Sequence, residues 1–272
     1  QGMVIHKAYK NEENEWVYPA DITQDDSGNL IDNFGSRVFE CPAEKMSKSK
    51  KNTVSPESIV DSHGVDAVRL FIVSDTPPEK DFEWNTDALD GALRFLRRVW
   101  KTFSEALTRK EQSGAVTLVK PMHRCIKQVS EKYESNSLNK AVALIREFFN
   151  ALESKITTED GASLLRSFET IIKILYPIAP FICHEMWEAL GHTTEISDES
   201  WPQYDEGLAS LDTVTVAIQV NGRVRDTFNV EKDAEDDTLT EMAFDTLGNR
   251  CDRSAVQKVV VVKNRVVNIV LR

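Results

Sequence analysis

NTDALDGALRFLRRVWKTFSEAL, residues 85–107, is the stretch of sequence that decides the fold class. Its large apolar side chains recur at alternating steps of four and three residues: Leu89, Leu93, Leu96, Trp100, Phe103 and Leu107. Such spacing places them in one stripe of an amphipathic α-helix. Asn85 precedes the stripe as a helix cap, and Asp87 adds an acidic first turn. We therefore predict one long helix, with Trp100 at a core or interface position.

The same helical period continues downstream of this stretch. Further helices are expected to begin near Pro121, after a cap at Asn136-Ser137, and near Ala162. The last of these helices is expected to bend at Pro177 and Pro180, because proline removes a helical hydrogen-bond donor. Long helices joined by short connections predict a helical bundle.

Both flanks of the helical region have a different pattern. Residues 1–44 contain short strand-forming runs and a turn-rich segment at 25–29, which predicts a hairpin. After the lysine-rich run that follows, Ser55 is expected to cap a helix that starts with Pro56. The carboxy-terminal flank predicts a small α+β domain. Its expected elements are a strand over 214–220, a turn at Asn221-Gly222, a helix over 237–247 and a hairpin around 263–265.

Composition limits the classes of function that the chain can have. The 272 residues carry a formal net charge of −11 and include 41% hydrophobic residues. This charge argues against a protein that coats nucleic acid over its whole surface, but it allows a local basic stripe. The cysteines form no Cys-x-x-Cys pair, so neither a zinc ribbon nor a redox dithiol is expected. No segment resembles a membrane span or a secretion signal, which predicts a cytoplasmic protein, and Gln1 in place of an initiator Met suggests excision from a longer chain.

The string Lys45-Met46-Ser47-Lys48-Ser49 is the most informative segment for chemistry. A mobile loop that offers two ammonium groups and two hydroxyl groups suits the triphosphate of a nucleotide. A positioned lysine would stabilise the charge that develops on departing pyrophosphate more strongly than the charge of the ground state. By itself, a Lys/Ser run more often marks a solvated loop or a nuclear-import patch. The flanking sequence is what favours the nucleotide site.

The pentamer is identical to the KMSKS motif of class I aminoacyl-tRNA synthetases. The following Lys50-Lys51-Asn52 resembles the bacterial leucyl branch of that family. Similar segments span nearly the whole chain: Gly2-Met3-Val4, Gly64–Phe71, Asp81–Trp84, Arg94–Trp100, Pro177–Phe181 with Trp187, and Gln219–Arg225. The pentamer alone indicates class I, whereas its flank and the last of these segments favour leucine. The chain therefore resembles the carboxy-terminal part of a leucyl-tRNA synthetase.

The resemblance implies a multidomain, mainly α fold that belongs to a larger enzyme. The implied parts are a leucyl-specific insertion and catalytic-fold remnant (1–44), the KMSKS loop with stem-contact helices (45–84), an anticodon-binding-type helix bundle (85–191), a linker (192–212) and an α+β tRNA-binding domain (213–272). The whole protein is expected to activate leucine with ATP and transfer it to tRNA(Leu). The family's HIGH motif and editing domain are missing from this chain, so we expect the chain to be inactive alone and monomeric.

The resemblance also implies roles for individual residues. Lys48 is the expected main catalytic residue, Lys45 assists it, and Lys45 to Ser49 bind ATP, with Mg²⁺ arriving on the nucleotide. Contacts to tRNA are expected from basic residues on the first bundle helix and clustered at the ends of the carboxy-terminal hairpins: Arg94, Arg97, Arg98, Lys101, Arg223, Arg225, Lys263 and Arg265. Recognition in this family does not depend on reading the anticodon, so backbone and shape contacts are expected to dominate. On the bundle helix, a solvated face paired with nearby acids is an equal alternative for each residue.

Two further readings of the sequence remain beside this one. A non-catalytic RNA-binding or assembly protein could have inherited the same domains, or the bundle could be a scaffold that binds no RNA. His184-Glu185 and His192 do not fit the H-E-x-x-H spacing and lack an evident third ligand, so no metal site is expected. Trp187, like Trp100, is expected to be a core or interface aromatic rather than a base-stacking platform.

Overall fold

The computed structural model describes residues 2–210, 213–251 and 253–271. Gln1, Arg272 and residues 211 and 212 of the expected 192–212 linker lie outside the described residues. The chain divides into two compact units, Gln1–Ala209 and Ser210–Arg272, called unit 1 and unit 2 below. Within the described ranges, no helix has both the length and the apolar character needed to cross a membrane.

Unit 1 begins with a small sheet built around one long strand. Strand β1 (Val4–Asn11) pairs antiparallel with β2 (Trp16–Val17). Strands β3 (Ile22–Gln24) and β4 (Leu30–Asp32) form a separate hairpin, as the turn-rich segment predicts. The Asp25 carboxylate closes that turn by accepting from the backbone amides of Ser27 and Asn29, at 2.9 and 2.8 Å.

Strand β5 (Val38–Lys45) returns antiparallel along β1 and ends at the first lysine of the KMSKS string. Helices α1 (Pro56–His63) and α2 (Val65–Ser74) follow, and β6 (Phe82–Glu83) then joins β1 in parallel. The expected cap at Ser55 is wrong, because the Ser55 side chain makes no capping hydrogen bond. A capping oxygen would accept from the amide of Glu57 or Ser58, whereas the contact formed here is a hydrogen bond of 3.0 Å from the Ser58 hydroxyl to the Ser55 carbonyl oxygen.

The helical part of unit 1 confirms the predicted bundle architecture. Its helices are α3 (Thr86–Thr108), α4 (Val119–Glu134), α5 (Leu138–Ser154), α6 (Gly161–Leu175), α7 (Pro180–Ala189) and the short α8 (Glu206–Ala209). Edge-to-face ring pairs connect the helices in the core, with 5.4 Å between the centroids of Phe103 and Phe168. The Asn85 cap is confirmed, since its side chain accepts from the amides of Asp87 and Ala88. The Ser137 side chain, by contrast, makes no capping bond.

The buried face of α3 differs from the predicted stripe. Leu89, Leu96 and Phe103 are buried as expected, but Trp100 is 42% exposed. The buried positions also include smaller and neighbouring side chains: Ala92, Phe95, Val99, Thr102 and Ala106. The stripe is displaced because small residues such as Ala92 and Ala106 allow close helix contact, whereas spacing of large residues marks only the approximate face.

The predicted bend near Pro177 and Pro180 is a complete break between α6 and α7. Helix α2 supplies partners for the backbone groups that the break leaves free. The Asp66 carboxylate accepts from the Ile182 amide at 2.7 Å, at the start of α7. The Arg69 guanidinium donates to the carbonyl oxygens of Ile178 and Pro177, at 2.8 and 2.9 Å. These bonds satisfy helix ends that would otherwise lack partners.

Unit 2 is a four-stranded sheet with a helix on one face. Its elements are β7 (Thr213–Val220), β8 (Arg223–Glu231), α9 (Asp236–Leu247), β9 (Val256–Val262) and β10 (Val266–Leu271). The strand order is β8-β7-β10-β9, with β10 parallel to β7 and the other neighbours antiparallel. Alternate residues Val216, Ile218, Val267 and Ile269 are buried in one cluster with Leu239 of α9. The predicted hairpins and helix are confirmed.

Candidate functional site

The KMSKS string forms a tight turn at the end of β5. Its five residues run from the last strand residue, Lys45, into a 3-10 helix at Lys48–Lys50. The Ser47 side chain caps this helix by accepting from the Lys50 amide at 3.3 Å. Lys51 follows with φ of 52°, in the left-handed region, which reverses the chain direction. The segment 47–52, called the KMSKS turn below, is therefore folded back on itself.

The lysines of this segment divide into two groups. Lys50 forms an ion pair with Glu44 and lies over the Trp16 ring, and the Lys51 ammonium lies 5.4 Å from the Tyr18 ring centroid. Lys45 and Lys48 are exposed, and their ammonium groups have no hydrogen-bond or ion-pair partner among residues 2–210. Two uncompensated cations thus lie close together in sequence at one end of the sheet, available to an anionic ligand such as a phosphate.

Asn52 is the residue of this segment that sequence reasoning missed. It ends the flanking segment Lys50-Lys51-Asn52, and the structure buries it completely, at 0% exposure. Its side-chain oxygen accepts from the Ser47 amide at 2.9 Å, while its nitrogen donates to the carbonyl oxygens of His6 and Glu44, each at 3.2 Å. Nothing in the sequence marks an asparagine after a lysine run as the residue that holds the turn, because two of its partners are carbonyl groups of β1 and β5.

The basic residues of α3 do not share one environment. Arg98 is held by α5: its guanidinium forms an ion pair with Glu153, donates to Asn150 at 3.1 Å and lies over the Phe149 ring. The hydrogen bond with Glu153 raises the pKa of Arg98. This places Arg98 in the paired environment that was the alternative to a tRNA contact.

Arg94, Arg97 and Lys101 are exposed on α3, and no hydrogen bond or ion pair joins their side chains to another described residue. Arg97 also lines an apolar groove of about 670 Å³. Two large aromatic side chains border that groove, Trp100 and Phe181, the latter 62% exposed. Exposed cations beside exposed aromatic rings are a composition typical of surfaces that contact nucleic acid.

The basic residues that were expected to cluster in unit 2 lie in two separate places, so the prediction of one cluster is wrong. Because β10 runs parallel to β7, the turn that precedes β10 and the turn that follows β7 lie at opposite ends of the sheet. Arg223 and Arg225 follow the β7–β8 turn, which the Asn221 side chain joins to the end of β10 at the Leu271 amide. Lys263 and Arg265 flank the other turn, where Lys263 is 3.9 Å from Glu235. Spacing along the sequence could not reveal this separation.

His184 and His192 each pair with a different carboxylate. His184 Nε2 lies 3.0 Å from Glu195, and His192 Nε2 lies 2.9 Å from Glu169. The His192 ring stacks on Trp187, with 3.6 Å between ring centroids. Trp187 is buried, as predicted. Across the ranges that the structure describes, no group of His, Cys, Asp and Glu is suited to a metal ion.

Two family models match this chain in the segments described above. The model described as tRNA synthetases class I (I, L, M and V) matches residues 36–85, which include the KMSKS turn, α1 and α2. The model described as the anticodon-binding domain of tRNA ligase matches residues 117–240. The first match places the lysine string in a class I synthetase segment, as the sequence resemblance implied.

Curated relatives match the chain from end to end. The leucine–tRNA ligase of Paramagnetospirillum magneticum is 38% identical over 100% of this chain and 33% of its own length. That of Zymomonas mobilis is 37% identical over 99% of this chain and 32% of its own length. The chain therefore spans about a third of the length of these relatives.

A solved structure has a similar fold. It is the ternary complex of Agrobacterium radiobacter K84 agnB2 LeuRS, tRNA and LeuAMS, with a TM-score of 0.70 and 24% identity, covering 84% of this chain and 32% of that chain. At this identity the likeness supports the fold alone. The end-to-end sequence matches show that the chain is homologous to about one third of a leucine–tRNA ligase, and the two family models match class I tRNA synthetase and anticodon-binding segments within it.

Proposed function

We propose that this chain is a working part of a leucine–tRNA ligase, in which it supplies the KMSKS turn and surfaces that hold tRNA(Leu). The observation that carries the proposal is the exposed, unpaired Lys48 on a folded turn, in a chain that matches leucine–tRNA ligases along its whole length. A solvated lysine loop would require neither the buried Asn52 beneath it nor this match. The rest of the nucleotide pocket belongs to the remainder of the intact protein.

In the reaction, a carboxylate oxygen of leucine attacks the α-phosphorus of ATP. A bond forms between them, and the bond from that phosphorus to the bridging oxygen of pyrophosphate breaks. Negative charge grows on the departing pyrophosphate, so the Lys48 ammonium stabilises the transition state more than the ground state. Lys45 adds a second positive charge, and the exposed Ser49 hydroxyl, 3.3 Å from the Ser47 hydroxyl, can donate to a phosphate oxygen while it accepts from Ser47. Mg²⁺ accompanies the nucleotide and needs no metal site built from this chain.

For tRNA, the proposal assigns the exposed row Arg94, Arg97 and Lys101 on α3 and, separately, Arg223 and Arg225 on unit 2. Each side chain can neutralise a backbone phosphate, which fixes position without reading bases. Arg98 is left out of the contact row because Glu153 already occupies it. A net charge of −11 makes such local rows necessary, since the chain as a whole repels RNA.

We expect this chain to bind tRNA(Leu) with an affinity that falls steeply as salt rises, because each phosphate contact releases counterions. With the five contacts assigned above, raising salt from about 50 to about 200 mM is expected to weaken binding by about 10²-fold or more. The triple variant Arg94→Ala, Arg97→Ala and Lys101→Ala is expected to bind more weakly and with a smaller salt slope. Gel shifts across a salt series measure both quantities.

The matched control for that experiment is Lys140→Ala, which removes one exposed lysine from α5. Its binding curve is expected to overlay that of the unmodified chain. Binding that is insensitive to salt, or a triple variant that behaves like the control, would remove the α3 row from the proposal.

A further inference from the structure

The KMSKS turn is closed at its base by a side chain rather than by a strand ladder. Its two ends, Ser47 and Asn52, are joined where the Ser47 amide donates to the Asn52 side-chain oxygen at 2.9 Å. Between them the chain makes the 3-10 helix and the left-handed residue Lys51. The Lys48 side chain is therefore carried on a short lobe whose two ends are joined by the Asn52 side-chain amide, while Lys50 within the lobe is paired with Glu44.

The same amide ties that base to two strands of the sheet. Its nitrogen donates to the carbonyl oxygen of His6 on β1 and of Glu44 on β5, both at 3.2 Å. The Asn52 backbone carbonyl in turn accepts from the ring nitrogen Nδ1 of His6 at 3.0 Å. Asn52 thus fixes the turn relative to β1 and to β5, the strand that runs into it.

Because Asn52 is completely buried, its side-chain amide cannot form hydrogen bonds with water. A buried amide must satisfy its donors and acceptor, since each one left without a partner costs about 1–3 kcal/mol. Asn52 satisfies them with backbone groups of three separate segments, so no smaller or apolar side chain can replace it. The exposed residues of the turn, Lys48 and Ser49, make no comparable contact with the sheet.

We infer that Asn52 is a positioning residue for adenylate formation: it sets where Lys48 stands by closing the base of the KMSKS turn. The inference deepens the proposed function and rests on it, because it requires Lys48 to act on ATP. Asn52 is buried and touches no substrate, so its effect must pass through the lysine. Small displacements of a catalytic group are enough to cost up to about 10²-fold in rate.

The test uses leucine-dependent ATP–pyrophosphate exchange by the intact protein, normalised to titrated active sites. Asn52→Ala is expected to lower kcat by about 10- to 10²-fold with KM for leucine unchanged. Asn52→Asp keeps an acceptor for the Ser47 amide but has no amide hydrogens for the carbonyls of His6 and Glu44, so it is expected to be slow too. The matched control is Thr53→Ala, at the adjacent exposed residue, which is expected to retain the full rate.

A double variant separates positioning from a general loss of structure. If Asn52 acts through Lys48, adding Asn52→Ala to Lys48→Ala is expected to cause little further loss of rate, whereas independent effects would multiply. Multiplying effects, an unchanged kcat in Asn52→Ala, or a loss that disappears after active-site normalisation would each overturn the inference. If Lys48→Ala itself leaves exchange unchanged, the proposed function fails instead, whatever the Asn52 variants do.

The 272-residue chain itself provides a second readout that needs no catalysis. Asn52→Ala is expected to lose some stability because its buried partners are left unpaired, but to remain folded and to be cleaved by trypsin after Lys48, Lys50 and Lys51 severalfold faster. Equal cleavage rates in Asn52→Ala and Thr53→Ala would show that the side chain does not hold the turn, and would overturn the inference.

Discussion

Replacing Lys48 by alanine in the intact protein is expected to slow leucyl-adenylate formation by about 10²–10³-fold, the size typical of losing one transition-state contact. The structure supports an effect of this kind because the Lys48 ammonium is exposed and has no partner within unit 1. Its removal therefore breaks no internal ion pair, and the loss falls on catalysis rather than on stability. ATP–pyrophosphate exchange, measured with saturating leucine, gives the rate.

Two lysine variants serve as controls for that measurement. Lys140→Ala removes an exposed lysine from α5, in the bundle, and is expected to leave exchange unchanged. Lys50→Ala removes a lysine of the turn that is already paired with Glu44, and a loss well below that of Lys48→Ala is expected. Unchanged exchange in Lys48→Ala would refute the assigned role, and equal losses in all three variants would indicate a nonspecific charge effect.

Glu159→Ala is expected to destabilise unit 1 by about 3 kcal/mol, because it leaves buried donors without a partner. The Glu159 side chain is 1% exposed and accepts from the amides of Thr117 and Leu118, at 2.7 and 3.0 Å, just before α4. It also accepts from the hydroxyl groups of Thr117 and Ser163, at 2.6 and 2.7 Å. One carboxylate thus joins the start of α4 to the start of α6.

The backbone around Glu159 leaves little space for the loop to readjust. A Cβ atom at Gly161 would lie 2.1 Å from the Arg109 carbonyl oxygen, and one at Gly114 would lie 2.6 Å from the Thr158 carbonyl oxygen.

Urea unfolding followed by tryptophan fluorescence measures the loss of stability in Glu159→Ala, since all five tryptophans of the chain lie in unit 1. The control is Glu131→Ala at an exposed site of α4, with an expected change within about 0.5 kcal/mol. A midpoint for Glu159→Ala equal to that control would contradict the expectation.

The same carboxylate predicts a pH dependence. Burial alone would raise the pKa of Glu159, but hydrogen bonds from Thr117, Ser163 and Leu118 outweigh it and hold the pKa below its ordinary value. A depressed folded-state pKa contributes stability above the unfolded pKa and loses it as pH falls through the folded value. Glu159→Gln keeps acceptor oxygen but does not titrate, so its stability is expected to fall less than that of the unmodified chain below about pH 4. Parallel losses would exclude Glu159 as the source.

Local signals in the sequence predicted much of the fold. The period of α3, the Asn85 cap and the Asn221-Gly222 turn each depend on neighbouring residues, and each is confirmed. The exposure of Trp100 does not depend on neighbouring residues in the sequence. It depends on how closely other helices pack against the small residues of α3. Sequence reasoning therefore identified the helix correctly and misplaced its buried face.

The candidate site was less accessible to such reasoning than the fold. The KMSKS string is identifiable by its residues, but the pairing of Lys50 with Glu44 requires the turn to be seen. Arg98 meets Glu153 across two helices, 55 residues away in sequence. Asn52 acts through carbonyl groups of separate strands, and backbone carbonyls leave no mark in a sequence. The spacing of residues along the sequence could not predict which lysines and arginines are paired with carboxylates and which are not.

The proposal on which all the catalytic predictions rest is that the intact protein activates leucine. Its most direct test is ATP–pyrophosphate exchange with leucine, isoleucine, methionine and valine as separate substrates, because the class I segment matches a family that serves all four. We predict exchange with leucine at a kcat/KM at least about 10²-fold above that for each of the others. Exchange driven best by another of these amino acids, or by none of them, would contradict the account.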